Sequence, residues 1–355
     1  MKRLKSIIVA ACAVLLAVVA ALPSMPVSAA GSASLGITPR KDYLVEPGKS
    51  VSDTILIRNL DESAPLNLTL RVVDFTYTGN DGTPKLMLAA NAPQTTWSLI
   101  PFLTVPETVT VPASGTKTVN IKVAIPAGQG AGSYYSAIIY STGAPDGGNV
   151  GLSASGVTLV FTTVPGQVNE KLTLEKFGAY QNATTSSAAK FVYFTGDQPL
   201  NIGYLLKNSG NVAESPVGSI TYKYMFGKTQ TISNVNPNNS LALIGQSRTF
   251  VSCFKTQDTS VALVDSGTST ASTCVTPGLW PGYYSLSLDL FYGLNGNLTQ
   301  EIVGHGGFWY LPTWFLVVFF VVLVIVAFAV WRVVVKVRNT LDGVKMKRSL
   351  RRRRK

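Results

Sequence analysis

Along most of this chain, apolar and polar residues alternate with a period of two in short runs. Leu66, Leu68, Leu70 and Val72 interleave with Asn67, Thr69 and Arg71, and Val109, Val111, Val119, Ile121 and Val123 repeat the pattern around a turn at Pro112 to Gly115. A shorter run holds Val51, Thr54, Ile55, Leu56 and Ile57. Successive side chains of a strand point to opposite faces, so this alternation predicts strands with one face buried. Turn residues punctuate the runs at Glu46–Gly48, Asn80–Gly82, Ala113–Gly115 and Pro145–Gly148. Many short strands with such spacing and no helical period predict antiparallel β-sandwiches. The Asn80–Gly82 and Asp146–Asn149 segments read as hairpin turns, since neither supplies the several oxygens a calcium ion needs.

Two stretches break the rhythm. From Trp314 to Trp331 the chain reads WFLVVFFVVLVIVAFAVW, without a polar side chain. At about 1.5 Å of rise per residue, the apolar run from Leu311 to Val335 is long enough for a hydrocarbon core of roughly 30 Å, which predicts a membrane helix. Trp309, Tyr310 and Trp314 at one end and Trp331 at the other suit the two interfacial belts. At the other terminus, Lys2, Arg3 and Lys5 precede an apolar run from Ile7 to Leu22, followed by Pro23, Pro26 and the small residues Val27 to Ala30. This is the pattern of a secretory signal peptide, with cleavage near Ala30 and Cys12 discarded.

Charge then changes its meaning. The chain carries 30 Lys and Arg against 18 Asp and Glu, a formal +12. Three of the basic residues lie in the signal and eleven follow the apolar helix, accompanied there by Asp342 alone among acids. The segment between is close to neutral, which removes any reason to expect a nucleic-acid partner. The basic cluster, ending in Arg351 to Lys355, predicts a cytoplasmic C-terminus by the positive-inside bias. It either attracts anionic lipid, at roughly 1 kcal/mol per charge, or serves only as a stop-transfer tail.

The region between the hydrophobic segments contains a repeat. Asn59 closes an apolar strand before a polar turn, and Asn208 does the same; Tyr134, Tyr135 and Ser136 follow a Gly-rich loop, and Tyr283, Tyr284 and Ser285 follow PGLWPG. Both landmarks are offset by 149 residues, which predicts two copies of one sandwich topology. The resulting organisation is a signal peptide at 1–30, an immunoglobulin-like sandwich at 31–167, a second at 168–308, a membrane helix at 309–335 and a basic tail at 336–355. Cys253 and Cys274 are the only cysteines left after signal cleavage, and in an exported chain they read as a disulfide contributing about 3 kcal/mol.

Catalytic chemistry is not legible. A Ser or Cys nucleophile normally needs a positioned base, and the single histidine, His305 in GHGGF, reads as part of a flexible juxtamembrane linker. No metalloprotease, Walker or dinucleotide fingerprint occurs, so neither enzyme activity nor a cofactor or metal is expected. The early acids Asp53, Asp61, Glu62, Asp74 and Asp81 are accounted for by turns and strand edges. The aromatics are the better lead: Trp97, Tyr134, Tyr135, Trp280, Tyr283 and Tyr284 either contact a ligand, as sugar-stacking platforms or protein anchors, or pack the sandwiches. Asn67, Asn182, Asn238 and Asn297 open Asn-x-Ser/Thr triplets that are glycosylated only in a host with that machinery.

The segments ITPRKDYLVEPGKSVSDTILIRNLDESAPLNLTLRVVDF and VTVPASGTKTVNIKVAIPAGQGAGSYYSAIIYS resemble the first extracellular domain of the bacterial WxL-interacting proteins. LLKNSGNVAESPVGSITYKYMFGK and GYYSLSLDLFYG are similar to their second domain, and the order of signal, two immunoglobulin-like domains, helix and basic tail is the same. The resemblance implies peptidoglycan binding by the first domain and binding of host components by the second. No binding residue is carried over, because no motif here maps onto an identified site, and the Cys253–Cys274 pair departs from the family pattern. Leu311–Thr313 imitates a sortase signal, but Trp314 stands where cleavage needs Gly.

The sequence therefore predicts a single-pass cell-membrane protein whose exported domains bind cell-wall polymer or another surface protein. The alternative is a non-catalytic assembly or chaperone-like subunit of an envelope complex. Lipid would be contacted through the helix and the basic tail.

Overall fold

The computed structural model describes residues 35–89, 91–142, 154–184, 188–262, 268–293 and 299–352. The expected signal peptide and the Asp146–Asn149 turn lie outside the described residues. The first domain is built from β1 (Leu35–Ile37), β2 (Arg40–Leu44), β3 (Ser50–Asn59), β4 (Leu66–Val73), β5 (Phe75–Tyr77), β6 (Pro84–Leu86), β7 (Leu103–Thr104), β8 (Thr108–Val111), β9 (Thr116–Ala124), β10 (Gly132–Ser141) and β11 (Ala154–Val164). The second contains β12 (Leu172–Gln181), β13 (Lys190–Val192), β14 (Phe194–Thr195), β15 (Asn201–Asn208), β16 (Val217–Tyr224), β17 (Thr229–Ser233), β18 (Ser247–Cys253), β19 (Thr256–Ala262), β20 (Thr268–Cys274), β21 (Gly282–Tyr292) and β22 (Gln300–Tyr310). One helix, α1 (Thr313–Arg352), follows.

Each domain is an immunoglobulin-like sandwich of a four-stranded and a five-stranded sheet. The orders are β1-β3-β9-β7 with β2-β11-β10-β4-β8, then β13-β12-β15-β18 with β14-β22-β21-β16-β17. In both five-stranded sheets a short strand joins the edge in parallel: β2 on β11 and β14 on β22. The first core includes Ile55, Ile57, Val119, Ile121, Ile138 and Tyr140; the second includes Ile202, Tyr204, Phe250, Leu286, Leu288 and Phe308.

The repeat has a physical basis. Asn59 ends β3, donates its amide to the carbonyls of Ala64 (2.9 Å) and Pro112 (3.2 Å), and accepts the Asp61 N–H (3.0 Å). Asn208 ends β15, donates to the carbonyls of Val212 (2.6 Å) and Ala242 (2.8 Å), and accepts the Gly210 N–H (2.9 Å). Each buried amide satisfies the main chain of the turn it closes. The tyrosines align differently from the sequence expectation. Gly132 and Gly282 open β10 and β21, face Val164 and Tyr310 at the same place in the ladder, and both have positive φ (149° and 143°). Tyr134 is therefore the counterpart of Tyr284. Their hydroxyls both donate to the carbonyl four residues earlier, Gly130 (2.9 Å) and Trp280 (3.0 Å). A one-residue shift reverses which face a side chain takes, so Tyr135 and Tyr283 have no such kinship.

The two domains share a third apolar cluster. The outer face of the first five-stranded sheet, with Val73, Tyr135, Ala137, Ile139 and Phe161, together with Phe75 of the β5–β6 hairpin, is covered by Leu241, Leu243 and Ala213 of the second domain. Arg248 locks this seam: its Nη1 donates to the Tyr77 hydroxyl (2.7 Å) and the Leu241 carbonyl (2.8 Å), while its guanidinium lies 5.0 Å from the Tyr77 ring centre. Gln246 accepts the Tyr77 N–H (2.8 Å), and Asn211 accepts the Ser133 N–H on its carbonyl (3.0 Å). The β5–β6 hairpin that carries Tyr77 turns through Asn80–Gly82, as the sequence indicates, and Thr78 N–H bonds the Thr83 carbonyl (2.8 Å).

GHGGF is not a linker. Gly304, His305, Gly306 and Gly307 lie in β22, paired residue by residue with β21. A Cβ on Gly306 would come within 2.9 Å of the Phe177 carbonyl oxygen, and one on Gly304 within 2.5 Å of the Leu174 side chain. The glycines let β12 pack closely over this strand. β22 continues through Trp309 and Tyr310, so the helix starts at Thr313 rather than at 309, and it extends beyond 335 into the basic segment. Thr313–Asn339 is long and apolar enough to cross a membrane, with none of its most apolar window buried in protein. The structure forms the Cys253–Cys274 disulfide, which ties the end of β18 to the end of the β19–β20 hairpin.

Two expectations follow. Replacing Asn208 by Ala strips hydrogen bonds from two buried carbonyls and should lower unfolding stability by about 2 kcal/mol, measured by denaturant titration. Glu214, beside the seam, is 3% exposed, and its Oε1 has no partner. Burial, then the neighbouring Glu170, pushes its carboxyl up to about 7, against the pull of the Gly293 N–H. The folded chain holds this proton where the unfolded chain has lost it, so the contribution is complete below an ordinary carboxylate pKa and is lost as pH rises through 7. Thermal unfolding at pH 5 should therefore exceed that at pH 8, and Glu214→Gln should flatten the difference.

Candidate functional site

Strand β9 is bonded along its length to β3, from Thr116 opposite Arg58 to Ala124 opposite Ser50. On its other side, β7 pairs with it only at Val123 and Lys122. Main-chain groups of a strand point alternately left and right. The Gly115 carbonyl accepts the Asn59 N–H, and Ile125 exchanges bonds with the turn before β3, so odd-numbered residues face β3. The N–H and C=O of Thr116, Thr118 and Asn120 consequently face the open side, where no strand of the described residues meets them.

Beside this edge lies a groove of about 860 Å³, walled on its far side by Thr104, Val105, Pro106, Thr108 and Val109. Ser52, Thr54, Thr118 and Asn120 supply hydroxyl and amide groups, and Lys117 and Lys122 supply positive charge. Asp53 also lines it, yet its carboxylate is already engaged. Lys41 Nζ (2.7 Å) and the Tyr43 hydroxyl (2.8 Å) bind Oδ2, and the Thr54 N–H (2.7 Å) binds Oδ1. The Lys41 contact, followed by the Thr54 and Tyr43 bonds, pulls Asp53 down to about 2, while burial first and Asp53 second push the Tyr43 phenol up. The groove thus presents a net positive, hydroxyl-rich wall next to free peptide groups. Those features match an extended peptide segment that adds a strand to β9 and carries hydroxyl or acidic side chains.

The aromatics singled out in the sequence do not gather here. Tyr135 is fully buried in the seam, where Trp97 stacks on it (centroids 5.9 Å apart); Tyr284 is buried in the second core, stacked on Phe308 (5.2 Å). Neither offers contact surface. Tyr134 packs edge-on against Phe102, and Tyr283 packs against Trp309. Trp280 alone of the six is largely exposed, at the opposite end of the second domain from the seam. Among the described residues no group of three or more His, Cys, Asp and Glu side chains is placed to hold a metal ion. The open edge has no sequence signal of its own, because an apolar-polar alternation reads the same in a paired strand and in an edge strand.

No protein-family model matches the sequence, and no curated protein matches it. Among solved structures, the chain is similar to a protein of a chaperone–tip adhesin complex of CFA/I fimbriae biogenesis (12% identity, 79% of this chain and 100% of that chain, TM-score 0.34). It is also similar to the class 5 fimbriae chaperone CfaA (14% identity, 76% and 98% covered, TM-score 0.35) and to the Escherichia coli chaperone DraB (13% identity, 68% and 97% covered, TM-score 0.30).

Proposed function

We propose that this chain is a membrane-anchored, non-catalytic binding module that captures an extended segment of another surface protein by strand addition to β9. The observation that carries this reading is the asymmetry of β9, paired throughout on one side and at only two residues on the other, with a groove waiting beside the free part. Main-chain pairing supplies affinity in such a mode, and the side chains along the groove supply selectivity. Lys117 and Lys122 favour an acidic segment. The long apolar helix supports anchoring of the module in a membrane, and the positive-inside bias of the basic residues after it supports a cytoplasmic C-terminus with both sandwiches outside. A module of this kind serves as a scaffold or as the assembly subunit of an envelope complex.

Proline distinguishes the open side of β9 from the paired side. Thr118→Pro removes one N–H from the free edge and leaves the β3 ladder intact, a position where a strand tolerates proline. The variant should keep the wild-type melting temperature while losing the protein that co-purifies with the wild-type full chain, and amide exchange at Thr118 and Asn120 in the wild type should slow in that complex. Equal recovery of the co-purifying protein with Thr118→Pro would overturn the reading. Retention on isolated sacculi, unchanged by Thr118→Pro, would instead favour cell-wall polymer as the ligand.

A further inference from the structure

Among the described residues of the two sandwiches, the largely exposed aromatic side chains are Tyr193, Phe194, Phe226 and Trp280. They come from three separate segments, the start of β14, the β16–β17 turn and the loop before β21, and all three meet at one end of the second domain. Trp309 donates its N–H to the Tyr193 carbonyl (2.7 Å), and Phe194 pairs with Trp309 in the β14–β22 ladder. Met225 donates to the Tyr283 carbonyl (3.1 Å), and the Tyr283 ring packs on Trp309 (5.3 Å). Trp280 sits on a loop whose backbone is fastened from both sides: its N–H donates to the Tyr284 hydroxyl (2.9 Å), and the next carbonyl, Pro281, accepts from Tyr224 (3.0 Å). The backbone is held while the indole stands 72% exposed, and Phe226, at the tip of the β16–β17 turn, stands 80% exposed. Single exposed apolar side chains are ordinary, but a cluster drawn from several segments marks a contact surface.

What the cluster touches follows from the chain path. Only Leu311 and Pro312 separate β22 from α1; Leu311 is itself bonded to the Thr195 carbonyl (2.8 Å), and Phe315 bonds back to Pro312 (3.0 Å). Two residues span at most about 7 Å, so the aromatic end of the sandwich cannot be held away from the surface that the helix enters. We propose that Tyr193, Phe194, Met225, Phe226 and Trp280 are seated in the headgroup layer of the bilayer, so that the second domain lies against the membrane as part of the anchor. The polar edges of the Tyr193 and Trp280 rings favour this layer, and the exposed Phe194, Met225 and Phe226 side chains would be withdrawn from water beside them. Together they extend the belt begun by Trp309 and Trp314 from a single helix to a whole domain face.

The test uses the full chain in lipid nanodiscs. With a photoactivatable group placed shallow in the lipid, mass spectrometry of the unsubstituted protein should find adducts on the Met225–Phe226 turn, the Tyr193–Phe194 segment and the Trp280 loop, in addition to the helix. In a chain with Trp309, Trp314 and Trp331 changed to Phe, lipid brominated near the headgroup should quench the indole emission, and the additional change Trp280→Phe should abolish that quenching. Adducts confined to residues after Pro312 would overturn the proposal. So would a Trp280 emission quenched by aqueous iodide but not by brominated lipid. An indole shielded from both quenchers would also overturn it, since that outcome assigns the face to a protein contact.

Discussion

Two-sided burial of β10 is the constraint on which the arrangement of the two sandwiches depends. Ile138 and Tyr140 face the core of the first sandwich, while Tyr135, Ala137 and Ile139 face the second domain. An antiparallel sheet ordinarily leaves one face to water; here that face is apolar, and the second domain is what keeps it dry. The aromatic cluster of Phe75, Trp97, Tyr135 and Phe161 fills the seam, and Arg248, held between Tyr77 and Phe250, closes its rim with charge-assisted bonds to the Tyr77 hydroxyl and the Leu241 carbonyl. The connection between the domains is fastened as well, because Asn169 within it exchanges hydrogen bonds with Asn211 of the second domain.

Much of this was written in the alternation of the chain. β21 reads YYSLSLDLFY and alternates core with solvent, whereas β10 reads SYYSAIIYS and is apolar on both faces, so the difference between a one-sided and a two-sided strand was present in the letters. The partner that covers β10 was not, since Leu241, Leu243 and Ala213 sit in irregular segments with no period. The paired tyrosines misaligned the repeat by one residue because identical dipeptides hid a shift that only the ladder positions of Gly132 and Gly282 disclose. GHGGF suggested flexibility because glycine serves close packing as readily as it serves freedom. The same holds for Trp280: exposure depends on which loop is pinned by Tyr284 and Tyr224, and these are contacts no spacing rule encodes.

An open edge is normally a hazard, and β9 carries the usual protections. Lys117 and Lys122 flank the unpaired stretch, and an edge lysine discourages pairing with a second copy of the same strand. The same charges that repel a like edge would favour an acidic one, so a single pair of side chains could serve both protection and the proposed selectivity. The short β7 strand caps the end of the groove nearest Val123 and would limit how far a strand added to this edge could extend.

The direct passage from β22 into α1 also decides how the molecule responds to mechanical load. Tension on the first domain enters the second at Leu172, near the end where β22 begins, and leaves at Tyr310, with the strand between spanning roughly 35 Å. β21 and β22 are bonded over their whole length and lie along that direction. Their hydrogen bonds are therefore loaded together in shear rather than one at a time, so a pull on the first domain meets the full ladder before it reaches the apolar helix.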